Sequence, residues 1–247
     1  MALFSFQNVT FGYEGNDDLV FEIFSCELYS NWRLALVGRN GRGKTTLLGL
    51  LDGRLKPLSG AVQAPGACAL FPYEVGDSRH CTRSVMRLLC PAAKDWELER
   101  ELRLLGVNPL ALDRPYDTLS KGEQTKVQLC ALFAGREEYP LIDEPTNHLD
   151  LAGRDAVAAY LAGKEGFLLI SHDRTFLNRC ADHVLALGRR EPMLLRGNFS
   201  TYEEELNRQT QFEKSRSEKL HREIARLEDS VRQSEQWSRR GEKAKFH

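Results

Sequence analysis

Arg33-Leu34-Ala35-Leu36-Val37-Gly38-Arg39-Asn40-Gly41-Arg42-Gly43-Lys44-Thr45-Thr46-Leu47-Leu48-Gly49-Leu50-Leu51 is the stretch that decides the fold. Five residues without a turn signal, 33–37, form a short continuous apolar run. That suits a strand buried on both faces of a parallel sheet. Gly38 to Thr45 then spells G-x-x-x-x-G-K-[ST], and an apolar helix is expected from Lys44 to about Leu51. A strand before and a helix after is the context that makes this pattern a phosphate-binding P-loop. The glycines let successive N–H groups turn inward onto phosphate oxygens, and the helix N-terminus favours the anion. In that role Lys44 reaches the β- and γ-phosphates and the Thr45 hydroxyl ligates Mg²⁺.

Outward from this centre, strands are expected at 3–12, 19–29, 67–71, 139–143, 167–171 and 183–187. Two short helices fall in 82–106, the second ending at Gly106. Further helices are expected at 121–134, 153–162 and 173–181. Ser120 and Glu123 form an S-x-x-E capping box for the first of these, and Gly135 stops it. Strands alternating with helices indicate a parallel α/β sheet.

Composition narrows the setting. The 247 residues are 42 % hydrophobic and 28 % charged, with 34 Lys+Arg against 35 Asp+Glu, a net charge of −1. This is the balance of a globular chain. No apolar run approaches the ~18 residues of a membrane span, and the first residues lack a signal-peptide pattern. Six cysteines without a C-x-x-C pair read as reduced thiols, so a cytoplasmic location is expected. Charge is unevenly spread. Residues 207–247 hold 11 Lys+Arg and 7 Asp+Glu, a balance of +4, which leaves −1 − 4 = −5 for the first 206. Leu220, Ile224, Leu227 and Val231 are spaced 4, 3 and 4, one seam of a coiled-coil helix. The expected division is a cassette over 1–199, with a helical subdomain at about 77–135, and a basic helix over 200–247. A seam with nothing following to cover it reads as a fragment of a longer protein.

The strand at 139–143 ends in Asp143 and Glu144. Behind a P-loop this pair reads as a Walker B element, with Asp143 at the Mg²⁺ and Glu144 orienting and deprotonating the attacking water. Three segments then carry a family resemblance: Leu119-Ser120-Lys121-Gly122-Glu123-Gln124, Asp143-Glu144-Pro145-Thr146-Asn147-His148-Leu149-Asp150, and Ser171-His172-Asp173-Arg174-Thr175-Phe176-Leu177. In order and spacing they resemble the signature, Walker B with D-loop, and switch-histidine segments of an ATP-binding cassette ATPase. The resemblance covers essentially residues 1–190. Its closest form is the ABC-F class, soluble ribosome-associated proteins with two cassettes in tandem.

The resemblance implies an α/β cassette with an antiparallel β subdomain and a helical subdomain. It implies ATP and Mg²⁺ as ligands, Glu144 and His172 as catalytic residues, and Tyr13 stacked on adenine. The phosphates fall to Gly38, Arg39, Asn40, Gly41, Arg42, Gly43, Lys44, Thr45 and Thr46, and the metal to Thr45 and Asp143. Ser120, Gly122 and Glu123 belong to the signature that serves ATP held by an opposite cassette, and Asp150 to the D-loop at that interface. The opposite cassette would lie in the same full-length chain, or in a second copy of this fragment. Two departures stand out. Lys121 occupies a place where many cassettes have Gly. The glutamine usual after the strand at 67–71 is missing, the place reading Phe71-Pro72-Tyr73-Glu74, so slow hydrolysis is expected.

Residues 37–48, 71–75, 197–200 and 206–213 look most like the Lsa/Vga type, which protects ribosomes from lincosamides, pleuromutilins and streptogramin A compounds. In that class the inter-domain linker forms an arm reaching the ribosome near the peptidyl-tRNA, and a basic helix suits rRNA and tRNA phosphates. The short interval from Tyr73 to Leu119 leaves no room for the arm insertion of some housekeeping members. Other readings stay open: a housekeeping ABC-F factor, the ATPase subunit of a membrane transporter, and a nucleotide-gated binding module with negligible turnover.

Overall fold

The sheet forms where the sequence runs apolar. A computed structural model describes residues 2–15, 18–135, 137–188, 192–218, 221 and 224. In chain order its elements are β1 (Leu3–Phe11), β2 (Phe21–Tyr29), β3 (Arg33–Val37), α1 (Lys44–Leu51), β4 (Ser59–Gln63), β5 (Cys68–Phe71), α2 (Thr82–Leu89), α3 (Asp95–Leu104), α4 (Lys121–Phe133), β6 (Tyr139–Asp143), α5 (Leu151–Ala162), β7 (Phe167–Ile170), α6 (Arg174–Cys180), β8 (His183–Ala186) and β9 (Met193–Arg196). Two short 3₁₀ turns, Pro109–Asp113 and Tyr116–Thr118, separate α3 from α4.

Two sheets enclose one core. The larger has strand order β5-β6-β7-β3-β8-β9 and is parallel except for the antiparallel β8–β9 pair. The smaller, β2-β1-β4, is antiparallel. All four residues of β7 are buried, as expected of a strand covered on both faces. Phe4, Phe6 and Phe24 of the small sheet, Leu34 and Leu36 of β3, and Leu47 and Leu48 of α1 share one cluster. Helix α1 is therefore buried almost all round, from Thr46 to Leu51. This is the expected α/β cassette with an antiparallel β subdomain and a helical insertion, α2 to α4.

Several element ends differ from expectation by a residue or two, each for a local reason. Helix α5 starts at Leu151, not 153, because the Asp150 side chain accepts from the Gly153 N–H at 2.7 Å and caps it. Helix α3 caps at Leu105, with Gly106 (φ 68°) one residue beyond. The Gly106 N–H donates to Arg103 O and the Val107 N–H to Leu102 O, closing the last turn by a Schellman motif. Strands β4 and β9 had no counterpart in the sequence reading.

One buried ion pair fastens the helical insertion. Glu101 of α3 is 1 % exposed and accepts from Tyr160 Oη of α5 at 2.6 Å, from Lys164 and from Arg100. Burial alone raises its pKa, but these donors more than offset that and hold it below the ordinary glutamate value. Removing one partner of such a pair costs about 3–5 kcal/mol.

By internal contacts the chain falls into two units, 1–200 and 201–247. The second is helical through 201–218 and at 221 and 224. Of the seam read from the sequence only Ile224 is described. Leu220, Leu227 and Val231 lie outside the described residues. Among the described residues no helix is long and apolar enough to cross a membrane.

Candidate nucleotide site

Three strands that are neighbours in the large sheet, β6, β7 and β3, end at the same edge. The P-loop follows β3, Asp143 closes β6 and His172 follows β7. The carboxyl edge of a parallel sheet is where such folds bind ligands. A cavity of about 420 Å³ opens there, lined by Tyr13, Val20, Asn40, Gly41, Gly43, Lys44, Thr45, Thr46, Asp143, Glu144, Ile170 and His172. Most of the residues expected at the nucleotide thus meet in one space. Gly38, Arg39 and Arg42 do not line it. Gly38 and Arg39 contribute backbone carbonyls to the loop, and Arg42 borders an adjoining cavity of about 790 Å³ that shares Val20 and Gly41.

The loop's shape requires glycine at Gly43. It caps α1 in the left-handed region (φ 88°), and a Cβ there would stand 2.6 Å from Val20 Cγ1 and 2.8 Å from Phe21 Cζ. Gly41 has φ 78° with nothing within 4 Å of where a Cβ would be. Lys44 bends back into the loop, donating from Nζ to Gly38 O at 2.8 Å and, more weakly, to Arg39 O and Asn40 Oδ1. Tyr13 is half-exposed. Its ring meets Phe11 edge-on at 5.1 Å, and its hydroxyl is 2.9 Å from Thr46 Oγ1.

The two carboxylates sit differently. Glu144 has φ 49°, unusual for a residue with a side chain, and its N–H donates to Ile170 O at 2.9 Å. That turn aims the carboxylate at His172, whose N–H donates to Oε2 at 3.3 Å and whose Nε2 is 3.5 Å from Oε1. Oε1 is buried and has no hydrogen-bond partner. Burial raises the pKa of Glu144, the His172 N–H and charge lower it, and neighbouring Asp143 raises it again, leaving it above the ordinary value. Asp143 is likewise raised by burial, against the charges of Lys44 and His172.

A phosphate-bound Mg²⁺ fits these groups. Thr45 and Asp143 contribute a hydroxyl and a carboxylate to the lining of one cavity, and Glu144, which also lines it, has in Oε1 an acceptor without a hydrogen-bond partner. Among the described residues no cluster of three or more His, Cys, Asp or Glu is arranged to hold a metal alone. An ion held here takes its remaining ligands from phosphate and water, the usual habit of Mg²⁺.

Ser120, Gly122, Glu123 and Asp150 are not brought into this cavity. Ser120 caps α4: its Oγ accepts from the Glu123 N–H at 3.2 Å, and its N–H donates to Glu123 Oε2 at 2.9 Å. Lys121 Nζ donates to Gln124 Oε1 at 3.1 Å. Asp150 caps α5. The place of the missing glutamine is held from α4 instead. The Tyr73 N–H donates to Gln128 Oε1 at 3.0 Å, and Gln128 Nε2 donates to Tyr116 Oη at 2.9 Å. Gln128, Val20 and Ile170 escaped the sequence reading. An interior helix position and two ordinary strand-end aliphatics carry no signal of a site.

A family model described as ABC transporter matches residues 21–147. The chain is similar to ABC transporter F family member 3 of Arabidopsis thaliana, 32 % identical over 219 residues, covering 84 % of this chain and 30 % of that protein. It is similar to the ATP-binding protein YdiF of Bacillus subtilis, 33 % identical over 215 residues, covering 84 % and 33 %. Protein GCN20 of Saccharomyces cerevisiae is 33 % identical over 184 residues, covering 72 % and 24 %. The chain thus spans a third or less of the length of these relatives. Among solved structures, a bacterial Atm1-family ABC exporter with ATP bound has a TM-score of 0.68 at 19 % identity, covering 85 % of this chain and 42 % of that one. A transporter described as of metal-chelate type, in an inward-facing conformation, has 0.66 at 23 %, covering 79 % and 84 %. At these identities the likeness shows the fold alone.

Proposed function

The chain belongs to the ABC transporter family, and from that premise we propose that it is a Mg²⁺-dependent ATP-hydrolysing cassette of the ABC-F class that acts on the ribosome. The observation that carries the chemistry is the one cavity lined by Tyr13, by Asn40, Gly41, Gly43, Lys44 and Thr45 of the P-loop, and by Asp143, Glu144 and His172. Lys44 and the loop's N–H groups hold the phosphates, and the Tyr13 ring lies where it can stack on the base. Thr45 and Asp143 hold the metal. Mg²⁺, when bound, neutralises charge on the β- and γ-phosphates. Glu144 takes a proton from a water that attacks the γ-phosphorus, and ADP leaves with phosphate as the other product. Its raised pKa suits a base that must accept that proton. His172 holds Glu144 in place through its N–H and senses the γ-phosphate.

Ser120, Gly122 and Glu123 serve a nucleotide bound by an opposite cassette, with Asp150 at the shared interface. Their position outside the chain's own cavity supports this division. The ABC-F reading rests on residues 143–150 and 171–177 and on relatives that carry the F family name. The finer reading is antibiotic target protection of the lincosamide, pleuromutilin and streptogramin A kind, in the cytoplasm, with the basic tail over 200–247 meeting rRNA and peptidyl-tRNA.

The test holds the complete protein in its ATP state by Glu144→Gln, with the matching change in its second cassette, and sediments it with ribosomes. Binding is expected at low salt. It should weaken steeply as salt rises, since each phosphate contact releases counterions. No co-sedimentation at low salt overturns the ribosomal reading and favours a transporter subunit.

A further inference from the structure

Arg154 of α5 touches two loops at once. Its Nε donates to the Leu149 carbonyl at 3.2 Å, and one of its terminal nitrogens lies 3.3 Å from Asp173 Oδ2. Leu149 is in the 144–150 segment between β6 and α5. Asp173 caps α6 through the Phe176 N–H at 3.0 Å and directly follows His172. A second tie joins the same loops. The buried hydroxyls of Thr146 and Ser171 are 3.4 Å apart, and Ser171 Oγ accepts from the Asp173 N–H at 3.1 Å.

On the far side of the 144–150 segment lies the first turn of α4. A Cβ on Gly122 would stand 3.3 Å from the His148 carbonyl oxygen and 3.7 Å from Leu149 Cδ2. Gly122 thus lies close beside 148–149, and from Leu149 contacts run through Arg154 and Asp173 to the segment that holds His172 and Glu144. The two ends face different nucleotides if Gly122 serves an opposite cassette.

We propose that Arg154 is a positioning residue that couples the signature end of α4 to the catalytic loop: a nucleotide engaged at Ser120 and Gly122 sets His172, and through it Glu144, by way of the Arg154–Asp173 contact. The inference rests on the ATPase reading above. Arginine suits the task because its rigid planar fork reaches a carbonyl and a carboxylate together, which a lysine point charge does not reproduce. Packed and hydrogen-bonded contacts of this kind modulate coupling between sites without touching either ligand.

The test uses the complete protein with Arg154→Lys, Asp173→Asn and the double variant. Asparagine keeps the helix cap while losing the charge. Each single change should lower kcat roughly 2- to 30-fold, with KM and equilibrium ATP affinity held within about twofold. The double variant should lose no more than the worse single, since both break one contact. Unchanged kcat in both singles, losses that multiply in the double, or ATP affinity falling in step with kcat overturns the proposal. Glu144→Gln is run alongside. If it retains full turnover, the ATPase reading fails and the coupling with it. If it stops turnover while Arg154→Lys and Asp173→Asn do nothing, only the coupling fails.

Discussion

The cavity behind the P-loop and the first turn of α4 are both short polar motifs, yet their hydrogen bonds are disposed in opposite ways. In the cavity one polar group is left over: Glu144 Oε1 is buried without a hydrogen-bond partner, 3.5 Å from His172 Nε2, while Lys44 is held by its own loop. At α4 the groups satisfy one another: Ser120 with Glu123 in both directions, and Lys121 with Gln124. A buried acceptor left open is costly, on the order of 1–3 kcal/mol, and persists where a ligand takes it up. A closed capping box costs nothing to leave alone, so it can wait for a ligand brought by another cassette. The difference is consistent with the proposed division into a half-site that binds and a half-site that completes.

The largest expected effect breaks the first half. Glu144→Gln keeps the shape of the carboxylate and removes the base, so turnover of the complete protein should fall by ~10²–10⁴ while ATP still binds. Retained turnover removes Glu144 from its role. The pH dependence follows from the same side chain. Catalysis needs the ionised form, and burial holds its pKa above the ordinary glutamate value of about 4.3. The acid limb of the kcat profile should therefore lie at higher pH than an exposed glutamate would give, with rate lost as pH falls through it. A limb at or below the ordinary value contradicts the buried base.

The next effect addresses the second half. Ser120→Ala should leave ATP binding to the isolated chain unaltered, because Ser120 is absent from that cavity's lining. In paired cassettes it removes one donor to the opposite phosphate, and turnover should fall on the order of 10²-fold. Loss of the cap also costs the helix about 1 kcal/mol, which melting curves separate from the catalytic loss. ATP affinity falling in the isolated chain would show that Ser120 belongs to its own site.

The same contrast governs what the sequence disclosed. Strand β3 and helix α1 were legible to the residue, because an unbroken apolar run ending in P-loop glycines has few other readings. Strand β4 was not. Most of Ser59–Gln63 is exposed and its pairing depends on Gly60, where a Cβ would stand 2.3 Å from Asn8 O. Close backbone approach across the chain leaves no local pattern. At the candidate site, motif spacing picked out residues that line one cavity but not their connections. The Tyr13–Thr46 hydrogen bond spans 33 positions and the Arg154–Asp173 contact 19. Nothing in the local sequence around Arg154 separates it from an ordinary surface arginine on an amphipathic helix.

The smallest effect sharpens how complete the binding half is before nucleotide arrives. Tyr13 is 46 % exposed, so packing alone does not fix its ring. What holds it is the edge contact with Phe11 and the hydroxyl contact with Thr46, whose side chain is buried at the start of α1. Tyr13→Phe keeps a stacking face and deletes only that anchor. A net hydrogen bond of this type contributes about 0.5–1.5 kcal/mol, so ATP affinity should weaken by roughly 2- to 12-fold by titration calorimetry. Inorganic tripolyphosphate, which has no base to stack, should bind the variant as well as the parent. Thr46→Val should reproduce the loss for ATP, and adding it to Tyr13→Phe should lower affinity no further. If Tyr13→Phe binds ATP unchanged while Tyr13→Ala does not, the ring is positioned by stacking on the base itself and the anchor has no part in it. If tripolyphosphate binding falls as well, Tyr13 acts on the phosphate loop through Thr46, and the aromatic belongs to the loop's structure rather than to base recognition.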